Sequence, residues 1–165
     1  VNCSADDNNF YLVQPFEGYY KLATNTSFDR EDSDQYLVTI SCQDHGSPSQ
    51  QSSRQLTVHV LDTNDNAPII TINTLSADGN NGEITVSENS PIGTFLAHIS
   101  VTDVDIGAAG EVNCSAEGDS VSLVQLYGTE FKLVSNVIFD REIQDQFPVI
   151  IHCVDHHPNN PLNST

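Results

Sequence analysis

Residues 61–68 have the sequence Leu-Asp-Thr-Asn-Asp-Asn-Ala-Pro, and the organisation of the whole chain can be worked out from them. An alternating strand pattern, Leu56–Val60, precedes this stretch, and a β-branched run, Ile69–Ile72, follows it. Four acidic or amide side chains fall between these predicted strands, and their oxygens need partners wherever they leave water. Calcium takes about six to eight oxygen ligands from carboxylates, amides and carbonyls, so the stretch predicts a calcium site. A polar linker without a metal is the alternative.

The composition of the 165 residues excludes some classes of partner. Lysine and arginine number 5 against 23 aspartates and glutamates, a formal charge of −18, which argues against nucleic acid and anionic membrane surfaces. Such acidity is also typical of disorder, but a hydrophobic fraction of 38% and many β-branched runs favour a folded β-structure. The sequence contains neither a signal peptide at its start nor an apolar run of about 18 residues. These two observations give no information about a longer parent protein.

The sequence repeats itself with an offset of 111 residues. Val1-Asn2-Cys3-Ser4-Ala5 returns at 112–116, and Phe28-Asp29-Arg30-Glu31 returns as Phe-Asp-Arg-Glu at 139–142. Cys42-Gln43-Asp44-His45 returns as Cys-Val-Asp-His at 153–156. A period of this length indicates a whole small domain rather than a solenoid unit. We therefore expect about one and a half copies, the first without its opening strands and the second without its last.

Both copies have strand patterns. Apolar residues alternate over 36–42 and again over 147–153, as expected for strands with one buried face. Further strands are predicted at 84–86, 95–101 and 131–138, with Gly, Asn, Asp and Pro between them at intervals typical of a β-sandwich. No long helical periodicity is present, and 106–110 is expected to form a turn.

Four cysteines allow three disulfide connectivities. The symmetry of the repeat favours Cys3 with Cys42 and Cys114 with Cys153, one bridge inside each copy and between neighbouring strands of one sheet. Four free thiols are the alternative. A zinc site is not indicated, because the chain has no Cys-x-x-Cys pair.

Residues 62–68 resemble the interdomain linker of the cadherin family, whose pattern Asp-x-Asn-Asp-Asn-Ala-Pro is matched at every position. The Asn-Cys-Ser and Cys-x-Asp-His-Gly-Ser-Pro contexts are similar to those of protocadherin-type repeats. The resemblance implies an all-β fold of tandem Greek-key, seven-stranded β-sandwich repeats. The first would occupy residues 1–66 and end in the linker 62–66, and the second would occupy residues 67–165, both of them incomplete.

The resemblance also implies about three calcium ions at the junction of two repeats. The residues that match family ligands are Asp29, Glu31, Asp62, Thr63, Asn64, Asp65, Asn66, Asp103, Asp105, Ala109 and Asp155. Ala109 stands where the family usually has asparagine before glycine, but the ligand there is a backbone carbonyl that alanine also has. Asp44 would belong to a preceding junction, and Glu88, Asp140 and Glu142 to a following one.

The function that follows from the resemblance is calcium-dependent cell adhesion by an extracellular array of repeats. Other cadherin-like chains would be the partners, with homophilic recognition, and the parent protein would be anchored in the membrane at the cell surface. Four sequons, at Asn2, Asn25, Asn113 and Asn163, are candidate glycosylation sites of such a chain.

Two other functions are alternatives. The first is a structural extracellular spacer or filament component without a recognition surface of its own. The second is a hydrolase, suggested by the neighbouring pairs Asp44-His45 and Asp155-His156. Catalytic triads are assembled in space rather than from adjacent residues, and no nucleophile-elbow pattern is present, so we predict no enzymatic activity and no catalytic residues.

Overall fold

The computed structural model describes residues 1–74 and 83–165, and the regular structure in these ranges consists of β-strands. The chain divides into two compact units, Val1–Asp62 and Thr63–Thr165, called here the N-terminal and C-terminal units. The division falls inside the linker, whereas the sequence placed the boundary after Asn66. None of the described residues forms a helix that is long and apolar enough to cross a membrane.

The N-terminal unit contains five strands, namely β1 (Asn2–Ala5), β2 (Phe10–Phe16), β3 (Tyr19–Thr24), β4 (Gln35–Gln43) and β5 (Gln51–His59). They form one antiparallel sheet in the order β1-β4-β5 and a hairpin of β2 with β3. In β4, Val38 is fully buried while Leu37 is 56% exposed, as the alternating pattern predicted. Phe10, Phe28 and Tyr36 pack together with ring centroids 4.8 to 5.9 Å apart.

The C-terminal unit contains seven strands in its described residues, namely β6 (Ile69–Thr74), β7 (Phe95–Thr102), β8 (Val112–Glu117), β9 (Val121–Tyr127), β10 (Glu130–Ser135), β11 (Ile150–Asp155) and β12 (Asn163–Ser164). One sheet has the order β6-β7-β10-β9 and the other the order β12-β11-β8. Ile99, Val101 and Leu133 from the first sheet share one core with Ile151 and Cys153 from the second. The expected β-sandwich is therefore confirmed.

The two units repeat the same strand pairing. Cys3 on β1 lies opposite Cys42 on β4, and Cys114 on β8 lies opposite Cys153 on β11. Both predicted disulfides are present, and each joins residues 39 positions apart. Because Cys153 is fully buried, the second disulfide is part of the core of the C-terminal unit.

Three predicted strands differ from the structure. Residues 84–86 form no strand, although Ile84 and Val86 still pack against the core. The alternating apolar pattern there reflects which side chains are buried, and it is not accompanied by strand pairing. β11 begins at Ile150 rather than at 147, since Pro148 has no N–H to give to a ladder. β10 ends at Ser135 rather than at 138. The predicted turn at 106–110 is present.

Removing the buried disulfide tests its contribution to the C-terminal unit. The double change Cys114→Ala and Cys153→Ala opens a closed loop, so we expect the free energy of unfolding of this unit to fall by about 2–4 kcal/mol. Urea denaturation monitored separately for each unit measures the loss. The matched change Cys3→Ala and Cys42→Ala should affect the N-terminal unit instead. An unchanged urea midpoint for the C-terminal unit would contradict this expectation.

Candidate metal centre

Asn64 is the most buried polar residue of the linker, with 8% of its surface exposed. Its Nδ2 donates to Oδ2 of Asp155 at 3.0 Å and to the carbonyl of Asn160 at 2.7 Å. Its Oδ1 is buried and accepts no hydrogen bond. A buried amide oxygen without a donor is costly, and a cation would satisfy it. Asn64 therefore presents an acceptor that fits an oxygen-liganded metal ion.

Asn66 ties the linker to the loop that follows β7. Its backbone N–H donates to Oδ2 of Asp105 at 3.1 Å, and its Nδ2 donates to Oδ1 of Asp105 at 2.9 Å and to Oδ1 of Asp65 at 2.8 Å. Asp105 is only 5% exposed, and its own N–H donates to Oδ1 of Asp103 at 3.0 Å. Four predicted ligands, Asn66, Asp65, Asp103 and Asp105, are thus linked by hydrogen bonds, and Asp65 and Thr63 are exposed.

The loop over 103–110 is tightly closed. A Cβ added to Gly110 would lie 2.2 Å from the carbonyl oxygen of Asp105, so only glycine fits this close approach of two backbone segments. Ala109 is 4% exposed, and the N–H of His156 donates to the carbonyl of Ala108 at 3.1 Å. The alanine that replaces the family's asparagine is therefore held by burial rather than by a polar side chain.

Asp155 ends β11 and is 2% exposed. Burial by itself raises the pKa of this carboxyl, but hydrogen bonds from the N–H of His157, from Asn64 and from the N–H of Leu162 outweigh burial, so the pKa of Asp155 is lowered. The residue is therefore held as a carboxylate, the form that binds cations. Asp44, its counterpart in the N-terminal unit, accepts from the N–H groups of Gln50 and Gly46, which lower its pKa in the same way.

In the N-terminal unit, the predicted ligands Asp29 and Glu31 flank Arg30 in the sequence, and Asp62 contacts it. Oδ1 of Asp29 accepts from the N–H of Glu31 at 2.9 Å, which fixes the turn. Carboxylate oxygens of Glu31 and Asp62 lie within 4.8 Å of each other. Arg30 binds both, through Nη2 to Glu31 and through Nε to Asp62.

A second acidic group lies in the C-terminal unit. Carboxylate oxygens of Glu88, Asp140 and Glu142 lie within 4.8 Å of one another, and all three residues are exposed. Oδ1 of Asp140 accepts from the N–H of Glu142 at 3.0 Å, repeating the turn seen at Asp29. The group matches the predicted ligand set of a following junction.

The sequence missed the groups that hold these ligands in place. Asn160 and Leu162 contribute a backbone carbonyl and a backbone N–H, which no side-chain motif encodes. Arg30 is part of the Asp-Arg-Glu motif, but its contacts with Glu31 and Asp62 were not predicted. A single positive charge between two acidic residues, in a chain with 5 lysines and arginines, was the available signal.

The four candidate glycosylation sites are all exposed. Asn2 and Asn113 occupy equivalent positions on β1 and β8, and Asn113 and Asn163 both lie opposite Val154, one on each side of β11. Two of the sites are therefore in one row across a sheet. Nδ2 of Asn25 donates to the carbonyl of Asn8 at 3.3 Å.

Comparison with known proteins agrees with this geometry. Human protocadherin gamma-B6 is 31% identical over 163 residues, which cover 94% of this chain and 17% of that protein. The solved structures of protocadherin gamma-B2 extracellular cadherin domains 3–6 and of the protocadherin gamma-B7 EC3-6 cis-dimer each match 99% of this chain. For both, the match covers 38% of the solved chain, with a TM-score of 0.83 and 29% identity. No family model matches.

The chain belongs to the cadherin superfamily. Its repeats are of the protocadherin type and are extracellular, as the sequence predicted. The family is not an enzyme family, which agrees with the predicted lack of catalytic activity. The chain spans about 17% of the length of protocadherin gamma-B6.

Asp155→Asn tests the hydrogen bonds of the buried carboxylate. The asparagine side chain would place an NH2 group, itself a donor, against the N–H groups that now donate to Asp155. We therefore expect the free energy of unfolding of the C-terminal unit to fall by about 1–3 kcal/mol at neutral pH in a chelator. The folded pKa is lowered, so the stabilisation by Asp155 is present above about pH 4 and is lost as the pH falls through the folded value. The difference between variant and wild type should therefore shrink in acid.

Urea unfolding of this unit at several pH values measures both effects. Asp145→Asn, at an exposed position, removes the same charge and serves as the control. A constant difference between wild type and Asp155→Asn from neutral to acid pH would show that Asp155 titrates alike in the folded and unfolded chain.

Glycan occupancy tests the sequons. We expect Asn2, Asn25 and Asn113 to carry glycans when the chain is secreted by a eukaryotic cell, because all three side chains are exposed. Intact mass before and after treatment with a glycosidase, with peptide mapping, checks each site. Asn113→Gln should remove one glycan and leave Asn2 occupied. A mass that the glycosidase does not change would reject the sequon assignment.

Proposed function

We propose that this chain is part of a calcium-dependent adhesion protein, and that calcium bound at its linker stiffens the array of repeats. The observation that carries the proposal is the buried Oδ1 of Asn64, an acceptor without a hydrogen bond in an acidic region. The carboxylate of Asp155 and the carbonyl of Asn160, which contact the amide of Asn64, are oxygen ligands, the type that hard cations such as calcium prefer.

The charge of the ligand set supports divalent cations. Seven predicted ligands are carboxylates, namely Asp29, Glu31, Asp62, Asp65, Asp103, Asp105 and Asp155. About three calcium ions, as the family resemblance implies, would neutralise most of this charge. Extracellular calcium modules bind with dissociation constants of roughly 10⁻⁴–10⁻³ M, which suits an ion that is abundant outside cells.

In this proposal each ligand residue has a part that its contacts indicate. Asn64 offers its free oxygen, Asp155 supplies an ionised carboxylate, and Asn66 fixes the orientation of Asp105. When bound, calcium supplies the positive charge that lets the carboxylates approach one another. The group formed by Glu88, Asp140 and Glu142 would bind calcium together with a following repeat.

Recognition is proposed to be homophilic, with other cadherin-like chains as partners. The protocadherin gamma-B7 structure matched by this chain was solved as a cis-dimer, which supports an association between chains of this family. Beads coated with the complete extracellular region should aggregate with calcium and disperse in a chelator. Beads that stay dispersed with calcium, although the protein binds the ion, would favour the structural spacer instead.

Asp65→Ala tests the linker. We expect this exposed carboxylate to bridge ions, so its loss should weaken calcium binding more than the loss of a peripheral carboxylate and should leave each unit folded. Small-angle scattering of the 165-residue chain should show a more compact or broadened size distribution for Asp65→Ala with calcium, as for wild type after chelation.

Asp119→Ala, at an exposed position on the C-terminal unit, changes the same charge and should scatter like wild type. The rigidifying role of calcium would be wrong if wild type gave one scattering profile with and without the ion.

A further inference from the structure

Arg30 holds two of the carboxylates that calcium would need. Its guanidinium binds Glu31 through Nη2 and Asp62 through Nε, and the side chains of Arg30, Glu31 and Asp62 are 15%, 22% and 15% exposed. We propose that Arg30 is a resident counter-cation that competes with calcium for Glu31 and Asp62. This inference rests on the proposed calcium-binding function and names a regulator of the same site.

The equivalent arginine of the second copy makes a more exposed contact with its neighbouring glutamate. Arg141 lies 111 residues further on, and its Nη2 contacts Glu142 at 3.0 Å. The side chains of Arg141 and Glu142 are 72% and 66% exposed. The bridge made by Arg30 joins the Asp-Arg-Glu motif to Asp62, the first acidic residue of the linker.

Electrostatics explains why a cation is held there. Glu31 and Asp62 bring carboxylate oxygens within 4.8 Å of each other, and two like charges at that distance repel unless a positive group lies beside them. The planar guanidinium carries several donors in a fixed fork, so one arginine can bind two carboxylates together. Arg30 contacts both acids, and this arrangement lowers their repulsion.

The same contacts stand in the way of calcium. The guanidinium donates to one oxygen of each carboxylate, Oε1 of Glu31 and Oδ1 of Asp62, and its positive charge repels the ion. Calcium must therefore displace Arg30 from Glu31 and Asp62. Arg30 would therefore reduce the repulsion between Glu31 and Asp62 in the calcium-free state. It would also lower the affinity of the site for calcium.

The experiment compares Arg30→Gln with Arg141→Gln in the 165-residue chain. Both variants lose one positive charge, but only the first removes the bridge between Glu31 and Asp62. Arg30→Lys retains the charge and removes the fork. Calcium affinity is measured by titration calorimetry, and thermal unfolding of the N-terminal unit is measured in a chelator.

We expect Arg30→Gln to bind calcium about two- to fivefold more tightly than wild type, the range expected for a partly exposed ion pair. It should also lower the melting temperature of the calcium-free N-terminal unit. Arg141→Gln should show smaller changes in both, and Arg30→Lys should fall between Arg30→Gln and wild type.

Weaker or unchanged calcium binding by Arg30→Gln would overturn the competition, because an arginine that positions the ligands for calcium would have that effect. A calcium-free melting temperature that changes no more than in Arg141→Gln would overturn the counter-cation role. If wild type bound no calcium, the proposed function would fail instead, and the melting comparison would still decide whether Arg30 stabilises the acidic pair.

Discussion

Oxygen atoms that leave water must find donors or cations, and the first residues of the C-terminal unit are organised by this requirement. Amide groups of Asn64 and Asn66 donate to the carboxylates of Asp155, at the end of β11, and of Asp105, in the loop after β7, and these two strands belong to different sheets. The linker is thereby tied to both sheets of one sandwich before β6 begins. The Nδ2 group of Asn64 donates both of its hydrogen bonds in these contacts, to Asp155 and to Asn160. Its Oδ1 accepts no hydrogen bond and could bind a cation.

The N-terminal unit solves the same problem with a different group. Glu31 and Asp62 have a guanidinium between them, whereas Asp155 of the C-terminal unit accepts from an amide and from backbone N–H groups. An arginine can be displaced by a stronger cation as a whole, while a backbone N–H stays in place. The two units would therefore respond differently to calcium, the first by exchanging partners and the second by adding one.

The repeat made most of the fold predictable. Cys3 and Cys114 occur at equivalent positions, so one pairing satisfied both copies, and the two disulfides lie between neighbouring strands as expected. Alternation located β4 and β7 to within one residue of their ends. It could not distinguish burial from ladder pairing, which is why Ile84 and Val86 were placed in a strand that the structure does not form. The contacts of Asn160 and Arg30 depend on backbone groups and on the path of the chain, which the linker motif does not specify.

The disulfide between Cys114 and Cys153 has a practical consequence for anyone who handles this protein. Cys153 lies on the same strand as Asp155, two residues before the buried carboxylate, and it fixes that strand to β8. A storage buffer whose reducing agent breaks this buried disulfide would remove the link between β11 and β8 beside the proposed calcium ligand. An affinity measured in such a buffer would describe a loosened strand end, and samples purified with and without reductant would not be comparable.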